Sequence, residues 1–330
     1  MNNSPDAISN QYHRTAKGFQ NEQPFKIKLR DIWRWHRQRK VLPPKMGYDA
    51  FRQTWCENID LTLIGDRVWW IGHSTTLIRL NNKIILTDPI FSQRASPSQS
   101  MGPKRLTPAA ISIDKLSQLD FIVISHNHYD HLDFTSIKQL IMRFANVTLL
   151  VPLGLKNKLI KWGAQNVIEL DWWDSININD ITFTATPAQH WSKRGLFDTN
   201  KVLWCGWMMQ SNCDGLTKTV YFMGDTGYSP SLKKINERFS KIDLALIPIG
   251  AYAPRWFMQS QHIDPAQAVQ LYDELNCQSA IAIHWGTFEL ADDPLDEPPE
   301  LLSSLKHSRQ FYLLKIGGSL AINPENYELK

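Results

Sequence analysis

The chain has 330 residues, of which 43% are apolar, and a formal net charge of +4. This length is enough to bury a sizeable core in one large domain or in two, and we favour one. The small net charge argues against a nucleic-acid binder that is held mainly by neutralised phosphates, although local basic patches are not excluded.

Cysteine usage and the apolar runs indicate the compartment. The cysteines lack the paired spacing of metal ligands and are predicted to be reduced thiols of an intracellular protein: Cys56, Cys205, Cys213 and Cys277. The N-terminus has no basic start followed by an apolar stretch, and no run of about 18 apolar residues occurs. We therefore expect a cytoplasmic protein without a standard secretion signal or a membrane span.

The N-terminal part of the chain differs in composition from the rest. Residues 1 to about 25 are polar and aperiodic, which predicts a poorly ordered tail. In residues 26–45, a basic arm, Lys and Arg alternate with Trp33 and other apolar residues. Such an arm is typical of a segment at an anionic membrane surface, and equally of a solvated helix packed on the domain. We assign residues 1–66 to this tail and arm, and residues 67–330 to the main domain.

Strand-like patterns begin after residue 66. Residues 68–71, 75–80 and 83–87 are predicted to be antiparallel neighbours, with the Asn-Asn pair at 81–82 as a hairpin turn. Residues 88–106 are rich in Pro and Ser and have no periodicity. A loop of this length in a compact domain is usually functional or disordered, so it is a candidate wall of an active site.

Strand and helix patterns alternate through the remainder of the chain. Residues 134–144 are predicted to form a helix and residues 147–151 a buried strand. Further segments of these two kinds follow: strands at 167–170, 181–186, 202–209, 219–223, 244–247, 279–283 and 311–314, and a helix at 265–275. The acidic, Pro-rich stretch 292–300 is predicted to be a surface loop.

Residues 125–131 read Ser-His-Asn-His-Tyr-Asp-His and are dense in metal-binding residue types. They directly follow an apolar strand predicted at 121–124. Neutral imidazole and carboxylate are ligands that zinc takes, and alternation in an extended segment points His126 and His128 to the same side. Asp130 and His131 then face a second position, so the spacing suggests two ions. One histidine beside a strand is usually structural, but three within six positions plus Asp favour metal binding.

Three more candidates stand just past the ends of predicted strands: His190, Asp225 and His284. Singly, either histidine is more often structural, and the Asp in Gly-Asp-Thr-Gly is often only a turn residue. Because strand ends on one sheet edge converge in layered α/β folds, we expect all three to join the first group as metal ligands.

These residues carry a family resemblance. The HxHxDH motif at 126–131, with the later His, Gly-Asp-Thr-Gly and His, resembles the metallo-β-lactamase superfamily of binuclear metal hydrolases. A more specific likeness, to the N-acylphosphatidylethanolamine-hydrolysing phospholipase D family, extends from about residue 68 to residue 289. The segments that carry it are TDPIFS at 87–92, RASPSQ at 94–99, MGPKR at 101–105, ELDWW at 169–173, QHW at 189–191, GAY at 250–252 and HWGTF at 284–288.

The resemblance implies a fold, a ligand set and partners. The fold is an α/β, four-layer αβ/βα sandwich with metals at the sheet edges. Two zinc ions are implied, with iron or manganese as alternatives. Their ligands form two sets joined by a bridging carboxylate: His126, His128 and His190; Asp130, His131 and His284; and Asp225 as the bridge. Family members are homodimers associated peripherally with membranes, and we expect no nucleic-acid partner.

The predicted chemistry follows from the resemblance. Two divalent ions about 3.5–4 Å apart lower the pKa of a bridging water to near 7, which supplies hydroxide to attack a phosphodiester. The expected products are N-acylethanolamine and phosphatidate. Gln261, His262 and Tyr129 are predicted to contact substrate, Asp130 and His262 to act in catalysis, and His262 to protonate the departing group. The alternatives are a lactonase or nuclease of the same superfamily, or a non-enzymatic membrane module with a structural metal.

Overall fold

The structure of the protein is a computed structural model, and it describes residues 12–213, 215–305 and 310–322. Residues 1–11 of the predicted tail and residues 323–330 of the predicted main domain lie outside the described residues. The strands of the described part are, in chain order, β1 (Arg14–Thr15), β2 (Gly18–Phe19), β3 (Arg67–Gly72), β4 (Thr75–Leu80), β5 (Lys83–Thr87), β6 (Phe121–Val123), β7 (Thr148–Pro152), β8 (Asn166–Leu170), β9 (Ser175–Ile178), β10 (Ile181–Thr186), β11 (Gly206–Cys213), β12 (Leu216–Phe222), β13 (Ile242–Pro248), β14 (Cys277–Ile283), β15 (Gln310–Tyr312) and β16 (Ser319–Ala321).

The structure has more helices than the two predicted at 134–144 and 265–275, both of which are present. In the described part they are α1 (Leu29–Gln38), α2 (Tyr48–Trp55), α3 (Phe134–Arg143), α4 (Lys156–Trp162), α5 (Lys233–Arg238), α6 (Arg255–Met258), α7 (Pro265–Glu274) and α8 (Glu297–Ser304). Two of them begin where a carboxylate accepts a backbone N–H: Asp133 caps α3 through Ser136 N, and Asp264 caps α7 through Gln267 N. None of these helices is long and apolar enough to cross a bilayer.

Two large sheets organise the described residues. The first sheet has the order β16-β3-β4-β5-β6-β7-β8, and the second has the order β15-β14-β13-β12-β11-β10-β9. Strands β3, β4 and β5 are antiparallel neighbours, as predicted, and β5 to β8 are parallel. In the second sheet, β9 to β12 are antiparallel and β12 to β15 are parallel.

The side-chain alternation of the strands builds the layers. Val68 and Trp70 of β3 belong to the core that contains residues of the second sheet, whereas Trp69 and Ile71 pack into a separate core with α3 and α4. Because successive strand side chains point to opposite faces, this sequence can bury both faces of one strand. Helix α7 covers the second sheet through Leu271 and its neighbours. The result is the predicted four-layer αβ/βα sandwich.

Strand direction determines where the site lies. Strands β5 and β6 are parallel and end at Thr87 and Val123, and β12, β13 and β14 are parallel in the second sheet. Carboxyl ends of parallel strands lie at one edge of a sheet, so the loops that follow them converge.

Two segments predicted to be disordered or exposed are ordered and contain buried residues. Residues 12–25 are not a disordered tail, because β1 and β2 form a hairpin and the flanking residues His13 and Asn21 are buried. Residues 292–300 are not a surface loop. Most of the stretch is buried, and two of its carboxylates accept backbone N–H groups: Asp293 accepts from Ala251 and Ala253, and Asp296 accepts from Lys45.

Smaller differences have local causes. The strand predicted at 202–209 begins only at Gly206 and runs to Cys213. Before it, Leu203 N and Cys205 N donate to the carbonyls of Leu153 and Ser125 in the other half of the molecule. Strand β9 is a half-exposed edge strand without an apolar run, and no strand was predicted there.

Candidate metal centre

The loop after β6 is fixed by a buried carboxylate at the end of β5. Asp88 accepts hydrogen bonds from the backbone N of Ser125, at 2.7 Å, and from the Ser125 hydroxyl. Its Oδ2 lies 2.6 Å from His131 Nδ1, so His131 presents Nε2 to the cluster. Such a carboxylate fixes both the tautomer and the orientation of a ligating imidazole.

Three imidazoles form the first half of the site. His126 Nε2 lies 2.9 Å from His128 Nδ1, and His190 Nε2 lies 3.2 Å from the same atom. The other nitrogens of two of these rings have partners, because His126 Nδ1 is 2.9 Å from Ser125 Oγ and His190 Nδ1 donates to the Gln261 carbonyl at 2.9 Å. Their remaining nitrogens converge on one point, as three ligands of one ion must.

Asp130, His131 and His284 form the second half. Asp130 Oδ2 lies 3.1 Å from His131 Nε2 and 3.5 Å from His284 Nε2. His284 follows β14 with φ of 61°, a left-handed conformation that is uncommon for a residue with a side chain. Such strain persists only where the surroundings hold it, and it is frequent at functional sites.

Asp225 stands between the two halves. Its Oδ2 is 3.0 Å from His131 Nε2 and 3.1 Å from His284 Nε2. The same oxygen is 3.9 Å from His190 Nε2 and 4.0 Å from His126 Nε2. One carboxylate oxygen therefore faces both sets of imidazoles, which is the position required of a bridging ligand.

Burial keeps the first three imidazoles neutral. It lowers the pKa of His126 well below its ordinary value, with further lowering by His131 and His128. Burial and the nearby His190 lower the pKa of His128 to about 3, and burial lowers that of His190 to about 4. Neutral imidazole is the form that binds a metal, so these rings need no deprotonation at neutral pH.

The second half needs a cation. Burial opposes charge on His284, but Asp225 and Asp130 outweigh it and raise the pKa of His284 to about 9. Burial alone would raise the pKa of Asp225, yet His131 and His284 hold it well below its ordinary value. These buried carboxylates thus demand positive charge, which protons or metal ions can supply. Asp225 Oδ1 is buried without a hydrogen-bond partner, and His131 Nε2 and His284 Nε2 lie 3.0–3.5 Å from carboxylate oxygens without hydrogen-bond geometry. This donor set fits divalent metal ions.

His73, which the sequence motifs do not include, completes the second half. Its Nε2 lies 3.0 Å from Asp130 Oδ2, and its ring centroid is 4.2 Å from that of His284. The His73 carbonyl also accepts from His284 N at 3.0 Å. His73 directly follows β3, just as the predicted ligands follow their strands, but no second ligand type stands near it in the sequence.

We expect substitution of His73 by Ala to weaken metal binding at the half formed by Asp130, His131 and His284 about 10- to 100-fold. The reason is that Asp130 Oδ2 loses the ring that orients it. Chelator competition on the folded protein measures this, and His73→Gln, whose amide can donate to Asp130, should recover part of the affinity. An unchanged competition curve for the Ala variant would contradict the assignment.

The predicted substrate residues lie in three different environments. His262 is at the cluster, with Nδ1 3.8 Å from Asp225 Oδ2, and burial lowers its pKa well below the ordinary value. Gln261 is buried, and it is its backbone carbonyl that contacts a candidate ligand, His190. Tyr129 donates its hydroxyl to the Arg194 carbonyl at 3.0 Å. Contact of these three side chains with substrate stays a prediction.

Arg194 holds the loop that carries His126 and His128. Its Nη1 donates to the carbonyls of Asn127 at 3.0 Å and Leu132 at 2.6 Å, and its guanidinium lies 3.9 Å from the centroid of the Tyr129 ring. Buried carbonyls need such donors, so this Arg and Tyr129 fix the loop that carries the histidines.

Comparisons with known proteins identify the fold and the family of the chain. A family model described as the Beta-lactamase superfamily domain matches residues 83–285, more than half of the chain. Among solved structures, a possible metal-dependent hydrolase from Veillonella parvula superposes with a TM-score of 0.65 at 18% identity, covering 78% of this chain and 100% of that one. At this identity, the likeness shows the fold alone.

Two relatives are closer in sequence. The N-acyl-phosphatidylethanolamine-hydrolyzing phospholipase D 1 of Caenorhabditis elegans is 40% identical over 254 residues, which cover 71% of this chain and 69% of that protein. The mitochondrial N-acyl-phosphatidylethanolamine-hydrolyzing phospholipase D of Saccharomyces cerevisiae is 38% identical over 242 residues, which cover 72% of this chain and 51% of that protein. The chain thus spans about two thirds of one relative and half of the other. It is a metal-dependent hydrolase of the metallo-β-lactamase superfamily and belongs, within it, to the family of the N-acylphosphatidylethanolamine-hydrolysing phospholipases D.

Proposed function

We propose that this chain hydrolyses N-acylphosphatidylethanolamine to N-acylethanolamine and phosphatidate, with two zinc ions bound by the seven predicted ligands. The observation that carries the proposal is the position of Asp225 Oδ2, which faces imidazoles of both halves at 3.0–4.0 Å. The names and identities of the relatives support the choice of substrate.

In this proposal, the seven ligands hold the metal ions and His262 contacts the departing group. When bound, two zinc ions activate water and neutralise charge on a phosphoryl group. In the proposed reaction, water oxygen bonds to phosphorus, the bond from phosphorus to the ethanolamine oxygen breaks, and that oxygen takes up the proton that the water has given up. His262, which is not one of the seven proposed ligands, has its side chain 14% exposed beside Asp225, and its neutral imidazole could donate a hydrogen bond to the departing oxygen.

We expect His262→Ala to lower kcat about 10²-fold or more while both metal ions are retained. A side chain that donates to the departing oxygen acts on turnover, whereas a ligand acts on metal content. Steady-state kinetics with elemental analysis of the same samples separates the two roles. Loss of an ion in this variant, or full turnover, would contradict the proposed role.

The reaction itself is tested by isotope labelling. The zinc-loaded protein is incubated with N-acylphosphatidylethanolamine in H₂¹⁸O, and the products are identified by mass spectrometry. We expect N-acylethanolamine without label and phosphatidate with one ¹⁸O, because water attacks phosphorus. Metal-free protein serves as the control. Diacylglycerol as product, or turnover only of a lactone or RNA offered in parallel, would overturn the proposal.

We further propose peripheral association with an anionic membrane surface through α1. Within this helix no residue is buried, and Leu29 and Trp33 are 85% and 62% exposed. Arg37 lies over the Trp33 ring at 4.5 Å, and Arg34 lies over Trp256 at 4.4 Å. Exposed aromatic and aliphatic side chains among cations are typical of helices that lie in a membrane interface.

The proposed membrane face is close to the metal centre. Trp35 of α1 packs on Phe257 of α6 with ring centroids 5.2 Å apart, and its Nε1 donates to Asp292 at 3.2 Å. At the end of α6, Met258 O accepts from both Gln261 N and His262 N. A lipid bound at α1 would therefore lie one short helix away from His262.

We also propose that the chain forms a homodimer, for which the family resemblance is the support. Light scattering at assay concentration tests it, and a monomeric mass in the active sample would contradict it.

A further inference from the structure

The N-terminal hairpin lies across the segment that carries His190. We call residues 12–23 the strap. At one end of it, His13 Nε2 lies 2.7 Å from Asp171 Oδ1, and the Arg14 guanidinium pairs with the same carboxylate. In the middle, Phe19 N donates to Asn200 O at 2.7 Å. Gly18 makes this approach possible, because a Cβ there would lie 2.1 Å from that carbonyl oxygen.

Asn21 makes the contact that reaches the metal centre. Its Nδ2 donates to the His190 carbonyl at 2.7 Å, and its Oδ1 accepts from His190 N at 3.1 Å. The same Oδ1 accepts from Trp204 Nε1 at 2.9 Å. The side chain is thus held on three sides and is only 5% exposed. One amide satisfies both backbone groups of His190, as a neighbouring strand would.

The residue before His190 in the chain is tied to the strap as well. Gln189 Nε2 donates to Gln23 O at 2.8 Å, and Gln189 N donates to Thr226 Oγ1, next to Asp225, at 2.9 Å. With its Nδ1 bonded to Gln261 O, His190 is fixed at the ring and at the backbone. Because metal ligands must be held to within a few tenths of an ångström, both restraints bear on affinity.

We propose that Asn21 is a positioning residue for His190, so that the strap is part of the metal centre although it lies outside the family-matched residues 83–285. The inference rests on the proposed role of His190 as a ligand. Its consequence is specific: loss of Asn21 weakens the half formed by His126, His128 and His190, and leaves the other half in place.

The test compares the full-length wild type with Asn21→Ala and Asn21→Asp, each loaded with zinc and titrated with a chelator. Asn21→Ala should release one ion per chain at about 10- to 100-fold lower chelator concentration and keep the other. Asn21→Asp keeps the acceptor for His190 N and Trp204 but loses the donor to the His190 carbonyl, so it should show a loss in the same direction. Because Asp is nearly isosteric with Asn, Asn21→Asp keeps the test valid if the Ala variant fails to fold.

Arg14→Ala is the matched control, because it loosens the strap at Asp171 without touching His190. It should keep the wild-type chelator curve. In cobalt-loaded protein, the visible spectrum should change for the Asn21 variants and stay unchanged for Arg14→Ala, which a general loss of stability does not produce. Equal effects in all variants, or wild-type curves for both Asn21 variants, would overturn the inference. If the wild type itself retains no ion, the metal centre is wrong and the inference falls with it.

Discussion

Substitution of Asp225 by Ala should remove at least one metal ion and lower kcat about 10³-fold or more, since a bound metal contributes several kcal/mol to the barrier and each 1.36 kcal/mol is tenfold in rate. The expectation follows from geometry: Asp225 Oδ2 is within 3.1 Å of both His131 and His284 and within 4.0 Å of His126 and His190. Asp88 also lies beside His131, but it faces Nδ1 of that ring and so orients it, whereas Asp225 faces Nε2.

Asp225→Asn tests charge separately from shape. An amide keeps an oxygen in place but removes the negative charge, so we expect metal loss in this variant too. Asp243→Asn is the matched control: Asp243 is also a buried carboxylate, but it accepts from Thr219 N within the second sheet, at 2.7 Å. Elemental analysis should show two ions for the control and fewer for both Asp225 variants. Two ions and full turnover in either Asp225 variant would show that the carboxylate does not bridge.

The ligand candidates could be predicted because each one follows a strand. Strand patterns are local, and parallel strands deliver their carboxyl ends to one edge, so His126, His190 and Asp225 could be expected to meet before any distance was known. His73 obeys the same rule but stands alone in Gly-His-Ser, with no second ligand type nearby in sequence. Only the 3.0 Å contact with Asp130 distinguishes it from a structural histidine.

The N-terminal strap and residues 292–300 show where sequence patterns fail. Both segments are polar and aperiodic, which is typical of exposed chain. Their burial depends on single partners far along the chain: Asn21 reaches His190, and Asp293 reaches Ala251 and Ala253. A side chain that satisfies distant backbone groups leaves no periodic signal in the sequence.

The sequence of the basic arm is typical either of a membrane-surface segment or of a solvated helix packed on the domain, and α1 has features of both. Trp35 packs on the domain, as a solvated helix would require, while Leu29 and Trp33 stay exposed beside Arg30 and Arg37. The packing fixes which side of the helix is free. The arm therefore offers a defined cationic and apolar face, and its function can be tested without disturbing the side that holds it.

Removal of two cations from that face should weaken binding to anionic vesicles about 30-fold. Each Lys or Arg near such a surface contributes about 1 kcal/mol, and 1.4 kcal/mol is tenfold in affinity. The variant is Arg30→Gln with Arg37→Gln, measured by co-sedimentation with vesicles of phosphatidylcholine and phosphatidylserine. Its control is Lys115→Gln with Lys138→Gln, which removes the same charge. Both positions are exposed, and they lie where α3 and its neighbours cover the first sheet, not on α1.

Two measurements test whether α1 binds the membrane: vesicle binding at different salt concentrations, and turnover of vesicle substrate compared with soluble substrate. Wild-type binding to vesicles should fall steeply between about 0.05 and about 0.5 M salt. Over this range the electrostatic screening length drops from above about 10 Å to below about 5 Å. The Arg30 and Arg37 variant should lose turnover of vesicle substrate but keep that of a short-chain, water-soluble analogue, since the metal centre is untouched. Because both variants lose two charges, equal loss in the control would mean that net charge, and not the α1 face, governs binding. Unchanged binding of the α1 variant would leave the helix as a packed, solvated element with no lipid contact.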